Sequence, residues 1–269
     1  MRSSLADYQL LGPFGPGGED DGTWLARSPE RLGDDAGTVV LLELPDPGPA
    51  VWPEVVDRLS RLAMVDHEGL PRLIEAGRTE ESDGVVAWAS RTETSARPLR
   101  APAEDRQQAL QAVAAAARAA HALHEAGLAH GDIRPAALLG DGERVVLEPP
   151  LRPLVRPDAR AGERRTAADL DPIDAAALWG EGPSRASDIW SLGATVHALV
   201  SGELLHPDLK GDGPVTAVQR ILIEPPQVAE GLGEELEALV RRCLSPDPAD
   251  RPATAADLAA ELEQLAGDK

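Results

Sequence analysis

The chain contains almost no lysine. Its only lysines are Lys210 and Lys269, so none lies in the N-terminal half. This absence excludes from that half any site that depends on the compact ammonium group of lysine, although arginine is present there. An enzyme that holds a phosphate with an N-terminal lysine is therefore not expected.

Cysteine and long apolar segments are also scarce. The single cysteine, Cys243, excludes an internal disulfide framework and a cysteine metal cluster. No run of about 18 apolar residues is present, so a membrane span is not expected. The N-terminal residues turn acidic at Asp7, too soon for a secretory signal. Together these features predict a cytoplasmic protein.

Basic residues are a minority. The chain has 26 Lys and Arg against 46 Asp and Glu, which gives a formal net charge of −20. Such a charge repels a phosphate backbone, so nucleic acid is excluded as a partner. It favours basic partners, but a solvated acidic surface is the simpler interpretation.

The pattern of apolar residues divides the chain into two parts. Residues 1–92 alternate short β-type runs with turns rich in Gly and Pro, and they contain one helical stripe with a proline at its start. The predicted strands are 8–11, 23–27, 38–44, 70–74 and 85–89, and the predicted helix is 53–65. Residues 93–269 are helical, with predicted helices at 104–126, 189–200, 232–244 and 254–265. The fold class predicted is α+β.

Residues 123–132 read Leu-His-Glu-Ala-Gly-Leu-Ala-His-Gly-Asp and continue as Ile-Arg-Pro-Ala-Ala-Leu-Leu to residue 139. With two further segments they resemble motifs of the bacterial Hanks-type serine/threonine protein kinases, in which the first motif is the end of the long helix and the catalytic loop. Residues 187–195 resemble the buried central helix, and residues 243–252 resemble the closing motif. The resemblance implies one bilobal domain with a small, antiparallel, β-rich N-lobe (1–92) holding one helix and a larger helical C-lobe (93–269).

The resemblance also implies structural roles. Asp188 would accept hydrogen bonds from the backbone of the catalytic loop, and His130 and Trp190 would be core residues. Arg251 normally pairs with the glutamate of an Ala-Pro-Glu motif, but that position is Ala176 here. We therefore expect Arg251 to find another acceptor and the activation segment to be held in an unusual way.

Four positions that handle ATP and magnesium in the family are altered. The strand lysine is replaced by Leu42, its helix glutamate by Arg58, and the second metal ligand by Ala137. The Asp-Phe-Gly motif falls on residues 148–151, Glu-Pro-Pro-Leu, and prolines lack a side-chain ligand for magnesium. We expect no cofactor and no metal.

Two remnants of the site persist. Asp132 occupies the position of the catalytic base, but without a metal or an ammonium group it is expected to be a vestigial, structural carboxylate. A degraded glycine loop keeps Gly15, Gly17 and Gly18, and the carboxylates that follow at residues 19–21 would repel a triphosphate. Gly131 replaces the arginine that would bind an activation-loop phosphate.

An arginine cluster follows the altered magnesium motif. Arginine binds carboxylates and phosphates bidentately, so the cluster would dock an acidic or phosphorylated partner. The alternative is a solvated loop, since acidic residues are interleaved with the arginines. Thr166, directly after the cluster, is a candidate phosphorylation site. The cluster consists of Arg152, Arg156, Arg160, Arg164 and Arg165.

These features predict a pseudokinase that acts as a protein-binding regulator or scaffold in bacterial signalling, with an active kinase as one possible partner. Two alternatives stay open. The first is a weak or atypical kinase that uses Asp132, with Arg27 or Arg58 facing the cleft and Glu148 on a metal. The second is a small-molecule sensor whose cleft is lined by Leu41, Leu42 and Pro149.

Overall fold

The computed structural model describes residues 3–14, 22–33, 37–82, 84–94, 96–142, 144–155, 166–209 and 212–267. The N-terminal part is a six-stranded antiparallel sheet in the order β1-β2-β3-β4-β6-β5. Its strands are β1 (Ser4–Leu5), β2 (Tyr8–Pro13), β3 (Thr23–Arg27), β4 (Thr38–Leu44), β5 (Leu73–Glu81) and β6 (Gly84–Thr92).

Strand β4 carries apolar side chains on both faces of this sheet. Successive residues of a strand point to opposite faces. Val39 and Leu41 accordingly pack with Tyr8 of β2 in one apolar cluster, while Val40 and Leu42 belong to the main core. Both faces of β4 are therefore covered, which explains why it reads as a nearly continuous apolar run.

Helix α1 (Trp52–Ala63) is the single α-helix among the described residues of the N-terminal part. Pro53 stands in its first turn, where no backbone N–H is needed. Val55, Leu59 and Leu62 recur at helical spacing and are buried in the main core. This helix agrees with the predicted 53–65 within two residues.

The remainder of the chain is mainly helical. Helix α2 begins after Asp105, whose side chain accepts a hydrogen bond from Gln107 N at 3.1 Å. A small antiparallel sheet combines β7, which precedes α2, with β8 and β9, which follow α2. The elements are α2 (Arg106–Glu125), β7 (Arg97–Pro98), β8 (Leu138–Gly140), β9 (Val145–Leu147), α3 (Leu151–Val155), α4 (Ala167–Leu170), α5 (Arg185–Ser201), α6 (Pro214–Ile223), α7 (Glu234–Cys243) and α8 (Ala255–Gly267).

Helix α5 is buried along almost its whole length. A capping box starts it, in which Ser184 and Ser187 each bond the other's backbone N–H. Gly193 allows a close approach to α7, because a Cβ at this position would lie 2.3 Å from Cys243 Cβ. Helix α5 is therefore a buried central element against which the surrounding segments pack.

The main differences from the predicted elements are β5, which spans Leu73–Glu81 where a strand at 70–74 was predicted, and several elements after β6. The sequence did not predict helices α3, α4 and α6 or the sheet β7-β8-β9. Helices α4 and α6 pack together in a small separate core formed by Leu170, Leu209, Ala217 and Ile221. Across the described residues, no helix is long and apolar enough to span a membrane.

Candidate functional site at the cleft

Asp188 of α5 organises the loop between α2 and β8. Its carboxylate accepts hydrogen bonds from His130 N at 2.7 Å and from Gly131 N at 2.8 Å, and it also bonds His124 Nε2 at 2.8 Å. The carboxylate is fully buried, so these donors replace the water it has lost. The predicted role of Asp188 is confirmed.

His130 joins this loop to the segment after β9. Its Nδ1 accepts from Asp132 N at 3.1 Å, so its Nε2 carries the proton and donates to the carbonyl of Glu148 at 2.7 Å. His130 and Trp190 are both buried, as predicted. The histidine therefore bonds the backbone of Asp132 in the loop and of Glu148 after β9, and both of its ring nitrogens are engaged.

Gly131 has a backbone conformation that suits glycine. Its φ is +74°, in the left-handed region. A Cβ here would also lie 2.6 Å from Pro183 Cγ. The glycine that replaces the family's arginine is thus packed tightly against the segment before α5.

Asp132 lies beside a cation that the sequence analysis did not identify. Arg134 Nε donates to Asp132 Oδ1 at 3.2 Å, and Arg134 Nη1 donates to Asp169 Oδ1 at 2.8 Å. All three side chains are partly exposed. Arg134 follows Asp132 by two residues within the quoted motif, so its position was the available clue. Asp132 is consequently neither isolated nor far from positive charge.

Leu42 lies where the resemblance places the phosphate-binding lysine. It is packed in the main core beside Ala89, its partner across the β4–β6 ladder. Leu41 points to the opposite face, so Leu41 and Leu42 do not line one common cleft, contrary to the small-molecule alternative.

The two candidate replacement cations are engaged elsewhere. Arg27 is exposed and donates from Nη1 to Gln9 Oε1 at 3.5 Å. Arg58 bonds within its own helix, donating from Nε to Glu54 O at 3.3 Å and approaching the Glu54 carboxylate at 3.6 Å. Among the described residues, neither arginine shows a hydrogen bond or an ion pair with Asp132, Ala137 or Glu148, so neither replaces the lysine there.

Glu148, the one carboxylate in the Glu-Pro-Pro-Leu segment, is bound by Arg91 of β6. Arg91 Nε and Nη2 donate to its two carboxylate oxygens at 2.6 and 2.7 Å. The backbone N–H of Glu148 donates to the carbonyl of Ala137 at 2.8 Å. Sequence analysis missed Arg91, although it stands on the inward face of β6 in line with Ala87 and Ala89, where an arginine is unusual.

Arg251 finds its acceptor two residues before the expected position. Its Nη1 donates to Asp174 Oδ2 at 2.6 Å and to the carbonyl of Ala186 at 2.8 Å, and its guanidinium stacks over Trp190. The expectation that Ala176 leaves Arg251 to another acceptor is borne out. The segment between Asp174 and α5 includes a π-helical turn, Ala177–Glu181, with a kink at Gly180, where φ is +99°.

Several predicted site residues lie outside the described residues. These are Gly15, Gly17 and Gly18 of the glycine loop and Arg156, Arg160, Arg164 and Arg165 of the arginine cluster. Arg152 is described, exposed, and donates from Nη1 to Glu43 O at 3.4 Å. Thr166 caps α4 and donates from Oγ1 to Asp169 Oδ2 at 2.8 Å. Docking at these arginines stays a prediction.

The sequence of the chain is similar to those of mycobacterial serine/threonine-protein kinases. No protein-family model matches the chain. The chain is 37% identical over 90 residues to the serine/threonine-protein kinase PknK of Mycobacterium tuberculosis, which covers 33% of this chain and 8% of PknK. It is 27% identical over an alignment of 271 positions to the serine/threonine-protein kinase PknB of Mycobacterium leprae, which covers 95% of this chain and 42% of PknB.

Solved structures agree with these matches. The kinase domain of Mycobacterium tuberculosis PknI superposes with a TM-score of 0.69 at 19% identity, over 100% of both chains. The resemblance to the bacterial serine/threonine protein kinases is confirmed. The bilobal α+β kinase fold predicted from the motifs is confirmed as well. The kinase-like chain spans less than half the length of the PknK and PknB proteins that it matches.

The expectation that no cofactor is used is wrong. The relatives are serine/threonine protein kinases, and kinases of this class use ATP and magnesium. ATP and magnesium are therefore the cofactors to which the family points.

The described residues nevertheless do not fit the usual contacts to that pair. Leu42 carries no charge, Ala137 carries no side-chain oxygen, and the Glu148 carboxylate is already bound by Arg91. Within the part of the chain that the structure describes, no three His, Cys, Asp or Glu side chains cluster to hold a metal. The described residues therefore support no chemical step through ATP or magnesium.

Proposed function

We propose that this kinase-like domain is a pseudokinase, which does not transfer phosphate and acts by binding another protein. The observation that carries the proposal is the engagement of Glu148 by Arg91. Phosphoryl transfer depends on metal ions and cations placed around the phosphates. In the structure the only carboxylate of the altered magnesium motif is neutralised by an arginine from β6.

The other positions support the same conclusion. Leu42 is an apolar core residue, and Arg58 bonds its own helix at Glu54. A single loss of this kind is open to compensation by a neighbouring group. The lysine, its glutamate and both metal ligands are lost together. Asp132 therefore lacks the groups that would position ATP and magnesium beside it.

Exposed apolar side chains support the protein-binding role. Trp179, Val215 and Ile223 are 72%, 74% and 81% exposed. Trp179 belongs to the π-helical turn before α5, and the other two lie on the outer side of α6, opposite Ala217 and Ile221, which face the small core. Apolar side chains exposed to this extent mark interaction surfaces when they gather in one region.

The charge around these side chains indicates the chemistry of the partner. Glu181, two residues after Trp179, and Asp208, in the segment before α6, are exposed. Arg220 of α6 is bound by Asp212 at 2.7 Å and by Glu224 at 3.0 Å. The region is acidic overall, like the whole chain. We therefore propose a partner protein that brings basic side chains around an apolar contact.

The test is a phosphotransfer assay with radiolabelled ATP and either magnesium or manganese. The purified chain, its Asp132→Asn variant and an active serine/threonine kinase are compared on the chain itself and on a basic protein substrate. We expect the wild type to label no more than Asp132→Asn does. Labelling by the wild type that Asp132→Asn abolishes would refute the proposal. ATP binding is measured separately by calorimetry, because a pseudokinase is defined by the absent transfer step.

One observation favours the second candidate, a weak serine/threonine kinase. Arg134 places a guanidinium 3.2 Å from the carboxylate of Asp132, so a cation is present at the base position. In a weak kinase this cation would neutralise phosphate charge during transfer. An Arg134→Met variant with less labelling than the wild type would favour this candidate.

A further inference from the structure

The pairing of Arg91 with Glu148 joins two parts of the fold that are distant in sequence. Arg91 belongs to β6 of the six-stranded sheet, and Glu148 follows β9 on the helical side of the cleft. Arg91 is 1% exposed, and its two hydrogen bonds to Glu148 are short and parallel. Bidentate arginine–carboxylate pairs are among the strongest polar contacts in proteins because both charge and geometry match.

The Arg91 guanidinium makes two further contacts. Besides Glu148, its Nη1 donates to the carbonyl of Thr92 at 2.9 Å. Its central carbon lies 5.8 Å from the ring centroid of Phe14, within the range of a cation–π contact. Phe14 is the last described residue before the glycine-rich segment, so Arg91 connects β6 to the edge of that segment.

The backbone of Glu148 is also hydrogen-bonded on the helical side of the cleft. Its backbone N–H is bound to Ala137 O, and its carbonyl accepts from His130 Nε2. The preceding amide, Leu147 N, donates to Gly69 O at 2.8 Å and so makes a second bond between the two sides of the cleft. A continuous chain of contacts runs from Phe14 through Arg91 and Glu148 to His130.

We propose that Arg91 and Glu148 form a closing pair, a built-in contact that holds the two sides of the cleft together and withdraws Glu148 from metal binding. The proposal rests on the proposed function, since it supplies the physical reason why this carboxylate is not available for phosphate transfer. Removing Glu148 leaves the Arg91 guanidinium, which is 1% exposed, buried and unpaired. Removing Arg91 leaves the Glu148 carboxylate, whose side chain is 27% exposed, without its counter-charge. Loss of either residue therefore favours the open cleft. The closing pair thus makes the domain a fixed binding unit.

Hydrogen exchange of the Leu147 amide tests the closing pair. We expect Arg91→Met and Glu148→Gln each to accelerate exchange of the Leu147 amide by about tenfold or more, because the opening equilibrium loses a hydrogen-bonded charged partner. The matched control is Arg78→Met, which breaks the bidentate pair of Arg78 with Asp46, at 2.8 and 2.9 Å, within the N-terminal part. It should leave the Leu147 amide unchanged.

The double variant Arg91→Met/Glu148→Gln completes a double-mutant cycle. Replacing both charges by neutral side chains should accelerate exchange of the Leu147 amide much less than the sum of the single changes, because neither charge is left without its partner. Additive effects, or a Leu147 amide that responds no more than in Arg78→Met, would overturn the proposal. If the single variants do not fold, Arg91→Lys takes their place, and a wild-type rate there also overturns it.

This experiment is independent of phosphate transfer. Labelling activity in the wild type would refute the pseudokinase proposal without changing the exchange rates. An unresponsive Leu147 amide in an inactive protein would refute only the closing pair. The two failures are therefore distinguishable.

Discussion

Arg251, in the loop before α8, donates from Nη1 to Asp174 Oδ2 at 2.6 Å, and both side chains are buried. The pair fixes the segment that leads into α5 to the far end of the helical part. Arg251 also bonds Ser245 O and Ala186 O, so its guanidinium ties three segments together.

Asp174→Ala should therefore be one of the most destabilising substitutions in the chain. It leaves the Arg251 guanidinium buried without its counter-charge, and the expected loss is about 3–5 kcal/mol in the free energy of unfolding, measured with urea. Adding Ala176→Glu, which restores the carboxylate at the position the family predicts, should not recover this loss. Recovery by Ala176→Glu would show that the assignment of Asp174 is incorrect.

Gly131 provides a second prediction about the catalytic loop. Gly131→Ala should cost more stability than Gly142→Ala. Both positions have positive φ, which costs alanine about 1–2 kcal/mol, but a Cβ at Gly142 meets no atom within 4 Å, whereas at Gly131 it meets Pro183. We expect a further loss of about 1–3 kcal/mol at Gly131 from overpacking, measured by urea unfolding. Equal losses in the two variants would contradict the tight contact with Pro183.

The fold and the anchoring of the catalytic loop were predictable from sequence because they depend on local patterns. The apolar run in 38–44 predicted β4, the helical pattern over 104–126 predicted α2, and the motif around Asp188 predicted the acceptor for the backbone amides of the catalytic loop. Each of these conclusions needs only neighbouring residues, or a motif of known spacing, to be correct.

The contacts that decide the chemistry of the cleft were not predictable in this way. Arg91 and Glu148 are 57 residues apart, and no periodicity links them. Asp174 was missed as the partner of Arg251 because counting back from Asp188 by the family's spacing points to Ala176. Arg134 stood inside a quoted motif, but only the folded loop shows that its guanidinium reaches both Asp132 and Asp169. Long-range pairing of polar side chains is information that only the structure contains.

His197 of α5 should make stability depend on pH. Burial lowers the pKa of this imidazole below its ordinary value of 6.5, although Asp171 and Glu203 act in the opposite direction. Below pH 6.5 the unfolded chain takes up a proton that the folded chain resists until its own lower pKa is reached. The stabilisation is therefore present above pH 6.5 and is lost as the pH falls through this range.

Urea unfolding between pH 5 and pH 8 measures this dependence. His197→Gln should flatten the decline in unfolding free energy below about pH 6.5, since glutamine has no proton to gain there. Gln219→Asn, at an exposed position of α6, adds and removes no titratable group; it is the control and should retain the wild-type slope. A slope unchanged in His197→Gln would contradict the assignment.

The exposed tryptophan allows the proposed partner surface to be examined before a partner is known. Trp24, Trp88 and Trp190 are buried and Trp52 is partly buried, so Trp179 should supply the part of the fluorescence that acrylamide quenches most readily. Trp179→Phe should remove that component, whereas Trp52→Phe should retain it. The unfolding free energy of Trp179→Phe should stay within about 0.5 kcal/mol of the wild type, as for other surface substitutions.

Two results would contradict this assignment of Trp179. A readily quenched component that persists in Trp179→Phe would show that the side chain is covered in solution. A large loss of stability would show that Trp179 packs as a core residue. If the surface is free as described, Trp179→Ser combined with Val215→Ser should weaken binding of a basic protein partner. The closing pair should still protect the Leu147 amide in that variant, because the surface and the cleft use different residues.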